Sequence, residues 1–417
     1  MFSLAFWYPL FFFVQPGVLW PEIAPYLPLQ IISVLVFLTH VASRGEYSRK
    51  VAFSSKPFRW MLAFMVVQAL SVIREGIGSV IGETAYVTPL AQFVILSLML
   101  TDSPRGLRRY IWGMCCGSLW IVYYGIMALH AGLRVSYGNL AGSYGNYENH
   151  NDYTFIIIQT LPFVYALRNE LKNSIGRLVM GAALLMCMYG TVLSESRGGM
   201  IGLVLEILLI VMLTMTPKKR AVLLPIVVIL GLGAISYQYA IRAASNGDNY
   251  TAEDAENSRF ELWIAGENMI LAHPLTGIGN RRFGELARDY GELSHDQIGK
   301  NSHNTYIEVA ATTGLLGFIA FMKILLHVRR ELNKPFESPE AQSMNGLRVA
   351  CLIALYSIIF RAFLDAKDHD WSFYLFIVIA AAMSMHRHRY DQIPGSEEPG
   401  TTGPKTPPTL LGTRSIP

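Results

Sequence analysis

Apolar runs of about 17–23 residues recur along the whole of this chain, each long enough to cross a hydrocarbon layer about 30 Å thick at a helical rise of 1.5 Å per residue. Inside lipid every backbone N–H and C=O must be paired within the protein, which leaves helices and closed barrels as the spanning structures. A barrel strand would show roughly ten residues of alternating polarity, and none of these runs alternates. The expected fold is therefore all-α and polytopic, with about twelve spans over residues 4–20, 24–42, 57–73, 84–100, 110–130, 151–168, 178–194, 200–216, 221–241, 304–327, 347–366 and 371–385. The composition agrees: 52% of the 417 residues are hydrophobic and 15% are charged, against about a quarter charged in a soluble domain. Pro9, Pro16, Gly17, Pro21, Pro25 and Pro28 crowd the first two runs, so a bent or re-entrant entry is the alternative to two straight crossings. No basic residue precedes the first run, and it is expected to stay as a membrane anchor.

Lys and Arg collect in alternate loops. One set holds Arg44, Arg49, Lys50, Lys56 and Arg59, then Arg105, Arg108 and Arg109, then Arg168, Lys172 and Arg177, then Lys218, Lys219 and Arg220, then Arg329, Arg330, Lys334 and Arg348. The positive-inside tendency puts that set, and both termini, in the cytoplasm. The opposite short loops hold isolated basic residues such as Arg74, Arg134 and Arg197, and the one long loop, 242–303, faces out. The chain then divides into nine spans over 1–241, the outward loop 242–303, three spans over 304–390, and a Pro-, Gly- and Thr-rich tail over 391–417 expected to be a disordered cytoplasmic end. A net charge of +4 distributed in this way sets orientation and does not indicate nucleic-acid binding. Cys115, Cys116, Cys187 and Cys351 all lie within spans, where neither a structural disulfide nor a zinc site is expected.

Three polar features fall on the outward side, each near the end of a span. Ser194-Glu195-Ser196-Arg197-Gly198-Gly199 separates two apolar runs so close together that they must form a tight helical hairpin. Its arginine lies at the membrane surface beside glycines that let a ligand approach the backbone; the plain alternative is an interfacial anchor with turn glycines. Next comes Asn257-Ser258-Arg259-Phe260-Glu261-Leu262-Trp263, followed by His273-Pro274-Leu275-Thr276-Gly277-Ile278-Gly279. Phe260, Trp263, Ile264, Met269 and Ile270 predict an amphipathic helix lying along the interface, capped by Asn257 or Ser258. Arg259 in its first turn would oppose the helix dipole, which favours an anionic partner for it. The third feature is Asn301-Ser302-His303-Asn304-Thr305-Tyr306-Ile307-Glu308, leading through Gly314-Leu315-Leu316-Gly317 into a span. A loop histidine is more often a surface residue than a base.

In this order, SRGG, then R-x-x-x-W with a downstream H-P-x-x-G-x-G, then H-N-x-Y-x-E with G-L-L-G beyond it, the chain resembles the O-antigen ligase and O-antigen polymerase superfamily. The resemblance covers about residues 190–320, with a fainter match from Tyr144 to Leu161 that includes Asn149 and Asn151. His303, Asn304, Tyr306, Glu308, Gly314 and Gly317 fit the pattern, and Thr312 stands where many members have a second glutamate. The resemblance implies a GT-C-like multi-span enzyme of the bacterial inner membrane with one large periplasmic loop containing short amphipathic helices. It implies glycosyl transfer without a metal or other cofactor, from a glycan carried on undecaprenyl diphosphate to a sugar hydroxyl. In ligases that hydroxyl belongs to the lipid A-core. It also implies that Arg197 and Arg259 hold the diphosphate.

The residue types suit that chemistry. Breaking a sugar–diphosphate bond places negative charge on the leaving phosphate, and a guanidinium grips phosphate oxygens bidentately while staying charged. The attacking hydroxyl must lose a proton, and imidazole is a competent base near neutral pH, which makes His303 the candidate catalytic base. Asn304, Tyr306 and Glu308 could support it, and Arg281, Arg282 and Arg361 are further cations that could face the anion. The Asp-x-Asp pair Asp368 and Asp370 offers an alternative oxygen-ligand metal site, although a short polar turn between the last two spans is the favoured explanation of it. Secondary transport is the reading from a different class, since twelve spans is a common transporter number. Its pathway should be marked by intramembrane ionisable residues, and Glu206, Lys323 and Arg361 are few. Within the resemblance, O-antigen ligase is the expected activity, with a polysaccharide polymerase and a protein O-oligosaccharyltransferase as alternatives that share the donor. The expected partners are the undecaprenyl diphosphate-linked donor, the lipid A-core acceptor and membrane lipids.

Overall fold

The computed structural model describes residues 3–26, 28–42, 55–133, 143–245, 252–338, 341–366 and 370–391. Its helices are α1 (Leu4–Val14), α2 (Pro28–Ala42), α3 (Lys56–Leu70), α4 (Ile77–Leu100), α5 (Pro104–His130), α6 (His150–Glu170), α7 (Ser174–Leu193), α8 (Arg197–Thr214), α9 (Pro217–Ser245), α10 (Ala252–Ala272), α11 (Phe283–Tyr290), α12 (Thr305–Leu332), α13 (Asn345–Arg361) and α14 (Trp371–Asp391). No strand occurs among the described residues, so the all-α polytopic expectation holds. Among the described residues, eight helical segments are long and apolar enough to cross a membrane, those beginning at Lys56, Ile77, Pro104, Ser174, Arg197, Pro217, Thr305 and Gln342. The expected tail over 392–417 and the basic residues Arg44, Arg49, Lys50 and Arg134 lie outside the described residues.

Several elements differ from the sequence expectation. The run at 4–20 is not one helix: α1 stops at Val14, Gln15 takes a left-handed φ of 45°, and Pro16–Leu19 forms a separate turn. Proline disfavours helical geometry in the residue before it, which is why the break falls at Gln15. Eleven residues rise only about 16 Å, so α1 is a short apolar helix packed on α5. The amphipathic helix starts at Ala252, not at Asn257 or Ser258, so Arg259 lies well inside it. Glu253, Asp254 and Glu256 then fall at its N-terminal end, where the helix dipole favours carboxylates. Its buried face is Leu262, Ala265 and Met269, packed with Phe283 and Ala287 of α11, while Phe260 and Ile264 point outward.

The helix α6 sits at the centre of the bundle. Fourteen of its residues are buried, from Tyr153 through Val164 almost without interruption and on to Leu167, and α5, α7, α8 and α13 all pack against it. Tyr153 hydrogen-bonds the Val122 carbonyl at 2.9 Å, giving its buried hydroxyl a partner. At the end of the bundle where α12 terminates, Arg387 of α14 donates to the Glu331 carbonyl at 2.6 Å and also pairs with the Glu331 carboxylate. These contacts satisfy the open carbonyls of a helix C-terminus with a cation, the sign the dipole favours.

The feature that most shapes the opposite end is a break in α12. Gly314 has φ 65° and ψ −166°, so the helix changes direction there, and Ala311 and Thr312 lose helical partners for their carbonyls. The His273–Gly279 segment supplies replacements: Ile278 donates to the Ala311 carbonyl at 2.9 Å, Gly279 to Thr312 at 3.0 Å, and Leu315 donates to Pro274 at 2.8 Å. Non-helical backbone at membrane depth is tolerated only when its polar groups are re-paired in this way. The approach leaves no room for side chains, since a Cβ on Gly277 would stand 2.3 Å from the Thr312 carbonyl carbon and one on Gly314 2.4 Å from that of Leu275. The two glycine motifs seen in the sequence are thus the two halves of one joint. Gly314→Ala is expected to destabilise the protein by about 2–5 kcal/mol, combining left-handed strain with overpacking. Thermal unfolding of the detergent-purified protein checks this against Gly346→Ala, where an added Cβ meets nothing within 4 Å; equal melting of the two variants would refute it.

Candidate active site

The start of α6, α8 and α12 and the end of α13 converge on one group of polar side chains. Each of the three starts is capped by its own sequence: Asn149 accepts from Asn151 N–H at 2.7 Å, Ser196 from Gly199 N–H at 3.0 Å, and Asn304 from Tyr306 and Ile307 N–H at 3.0 and 3.2 Å. The caps are linked, because the Ser196 hydroxyl donates to the Asn151 side-chain oxygen at 2.8 Å. Thr305 fastens α12 to the turn after α13 through its N–H on Ala362 O at 2.7 Å and its hydroxyl on Asp365 O at 2.6 Å. Helix N-termini carry partial positive charge, so this end favours an anion.

His303 sits at the junction in a left-handed conformation, φ 52°. The turn that holds it is tied on both sides. The buried Glu308 carboxylate accepts from Ser302 N–H at 2.8 Å, the Ser302 hydroxyl donates to Asn304 O at 2.8 Å, and the Trp263 indole of α10 donates to Ser302 O at 2.9 Å. His303 Nδ1 thereby lies 3.7 Å from Asp365 Oδ1, a charge-pair separation longer than a hydrogen bond, and Asp365 Oδ2 lies 3.7 Å from an Arg361 terminal nitrogen. Arg361 is 1% exposed, donates to the Asn151 carbonyl at 3.3 Å, and has Nε and Nη1 without a hydrogen bond among the described residues. The imidazole is about one-third exposed, with Nδ1 facing the carboxylate.

Two of the sequence candidates for anion binding join this group. Arg197 is the first residue of α8, and the backbone of the adjoining Gly198 abuts Arg361, whose Nη1 would lie 3.1 Å from an added Cβ. Arg259 and Asp152 are both within electrostatic reach of Arg361. Contrary to the expectation from sequence, the glycines of SRGG do not open the backbone to a ligand, and Gly198 faces the Arg361 guanidinium. Gly199 is filled by Thr154, 2.7 Å from its would-be Cβ, and Gly202 by Ile158 and the Arg361 stem, so they let α8 close on α6 and α13. Tyr306 spans from α12 to α13, donating to Ile359 O at 2.9 Å and packing on Phe363. Asn304 and Glu308 hold the backbone around His303, as above.

Arg281 and Arg282 are joined to a different segment. Arg281 stacks 3.9 Å over the Tyr86 ring, Arg282 pairs with Glu75, and Asn280 between them and the glycines bonds Ser71 and Glu83. His273 pairs with Arg74 through Nδ1 and with the Tyr290 hydroxyl at 2.7 Å through Nε2. These contacts anchor the 273–282 loop to the turn between α3 and α4. Asp370 accepts from Ser372 N–H and hydroxyl at 2.8 and 2.6 Å, capping α14, while Asp368 lies outside the described residues. Nearby, burial together with the charges of Asp370 and Asp152 pushes the Tyr147 phenol well above its ordinary range. Asp365 and Asn151 are the members that sequence reasoning did not place at the site. The Arg361-to-Asp365 spacing of four, just past the end of an apolar run and on the same side as His303, is the signal that was present.

A helical membrane protein with a cationic, histidine-bearing group at one end of its bundle is thus defined by fold and geometry alone. Comparison with known proteins is more specific: residues 182–322 match the family described as O-Antigen ligase. The matched stretch, about a third of the chain, runs from α7 into α12 and includes Arg197, Arg259 and His303; over it the chain is similar to that family, which supports the resemblance to the O-antigen ligase and polymerase superfamily and a general role in glycosyl transfer. A protein of Haemophilus influenzae (strain ATCC 51907 / DSM 11121 / KW20 / Rd), described as uncharacterized, is 26% identical over 317 residues, which cover 67% of this chain and 73% of that relative.

Proposed function

We propose that this protein is an O-antigen ligase, transferring glycan from undecaprenyl diphosphate to a sugar hydroxyl of lipid A-core at the periplasmic face of the bacterial inner membrane. The observation that carries the reading is the juxtaposition of His303, Asp365 and Arg361, with Arg197 opening α8 next to the glycine that abuts Arg361 and Arg259 within electrostatic reach of it. With Asp365 facing Nδ1, the imidazole is oriented to present Nε2 as the base. It takes the proton from the acceptor hydroxyl as that oxygen attacks the anomeric carbon. The glycosidic C–O bond to the diphosphate breaks on the opposite face, so the configuration inverts and undecaprenyl diphosphate leaves with the electron pair. Arg197 and Arg259, with the N-terminal end of α8 behind Arg197, stabilise the charge developing on the phosphate. Arg361, buried behind them, adds positive potential at low dielectric. The positive charge these steps need comes from guanidinium groups, and the mechanism uses no metal.

Deletion of the gene followed by lipopolysaccharide gel analysis tests the reading. The expected result is complete loss of the O-antigen ladder, with polymerised glycan accumulating on undecaprenyl diphosphate. Complementation with Arg197→Ala is expected to restore less than about 1% of the wild-type ladder, as removal of one transition-state donor lowers rates by roughly 10²–10³-fold. Core bearing a single repeat in the deletion strain would identify a polymerase instead.

A further inference from the structure

At the end of the bundle opposite His303, the C-terminus of α6 and the N-terminus of α7 enclose a cleft of about 350 Å³ lined by Arg168, Asn169, Ser174, Arg177 and Leu178. Arg168 Nε donates to Arg177 O at 3.1 Å, which fixes its stem and leaves its terminal N–H groups for a ligand. Among the described residues neither arginine is paired with a carboxylate. Glu170, two positions from Arg168, is engaged with Arg108 at 2.7 Å. Two guanidinium groups on one small cleft, without a counter-charge, match the geometry of a phosphate.

The surface leading out of the cleft is apolar. Ile175, Leu178, Leu185, Tyr189 and Val192 are 77, 74, 67, 45 and 39% exposed. Their spacings of three, seven, four and three residues place them on one stripe along α7, running from the cleft toward the other end of the helix. Leu178 belongs to both features, lining the cleft and continuing the stripe. A free phosphate ion would use the arginines alone, whereas a phospholipid would use the arginines for its phosphate and the stripe for an acyl chain. We propose that this cleft binds the phosphate of an anionic membrane phospholipid whose acyl chain lies along α7. Basic pockets between spanning helices recognise lipid head groups by this combination of charge and adjoining apolar surface.

The test is native mass spectrometry of the full-length protein in detergent, titrated with phosphatidylglycerol. Wild type is expected to retain a phosphatidylglycerol molecule. Arg177→Gln, which removes a side chain that makes no hydrogen bond among the described residues, should weaken retention roughly fivefold, and Arg168→Gln/Arg177→Gln roughly 30-fold. Leu178→Asn, with both arginines in place, should also weaken it. Lys218→Gln/Lys219→Gln, which removes exposed charge from the same end of the bundle, should bind like wild type. Equal retention by wild type and Arg177→Gln would overturn the proposal, as would equal loss in the Lys218/Lys219 control. Binding of inorganic phosphate at the cleft with Leu178→Asn indistinguishable from wild type would assign the site to a free anion and equally overturn it.

Discussion

His303→Ala is expected to transfer glycan roughly 10²–10⁴-fold more slowly than wild type, the contribution of a positioned general base. Its backbone turn should survive, because that turn is held by Glu308, Asn304 and Trp263 and not by the imidazole. The variant is therefore expected to insert, melt near wild type and still bind the lipid-linked donor, isolating the chemical step. Asp365→Asn makes the complementary test. The amide keeps the size and can still meet His303, but it removes the negative charge that favours the imidazolium formed during proton transfer. The expected decrease is smaller than for His303→Ala, and the double variant should be no slower than His303→Ala alone, since a carboxylate acting through the imidazole has nothing to act on once it is gone. Single-turnover transfer from purified donor to lipid A-core measures all three. Additive losses would show that Asp365 acts elsewhere.

Arg361→Met is expected to impair both stability and transfer. The guanidinium is buried and lies 3.7 Å from the 7%-exposed Asp365 just past its own helix end. Removing one member of a buried ion pair costs about 3–5 kcal/mol. Methionine approximates the stem that fills the space beside Gly202, so the loss isolates charge from packing. Pairing it with Asp365→Asn should recover most of the stability, because no buried charge then remains unbalanced, while transfer stays low for want of both groups. Denaturation of the detergent-solubilised variants separates the two effects. An Arg361→Met protein as stable and active as wild type would show that the buried pair contributes to neither.

The spanning architecture was legible because a membrane leaves so few solutions for a long apolar run. The matches of α3, α4, α7 and α12 to the expected spans follow from length and composition alone. The misplaced ends have local causes. At Gln15 a proline effect on the preceding residue interrupts an apolar run that hydropathy reads as continuous. At Ala252 the acidic residues mark the helix start, while the apolar periodicity begins later. Of the site, Arg197, Arg259 and His303 were visible as chemistry-bearing residues near span ends. Asp365 was not, because its relation to His303 depends on Thr305 tying the start of α12 to the turn after α13, a contact between residues sixty positions apart. The glycines of SRGG were assigned to a ligand for the same reason: sequence shows that a side chain is absent, but not which neighbour occupies the space.

The break at Gly314 separates α12 into two mechanical parts. Below it the helix continues into the bundle core with Phe321, Ile324 and Val328. Above it, residues 305–313 are bonded to the 273–279 segment on one flank and to the turn after α13 on the other. That outer piece is therefore carried by the loop rather than by the shaft beneath it. The loop is in turn pinned to the α3–α4 turn through Arg282, Asn280 and His273. His303 thus begins a segment braced from two sides by contacts outside its own helix, so tilting of the shaft beneath Gly314 is opposed before it reaches the imidazole beside Asp365.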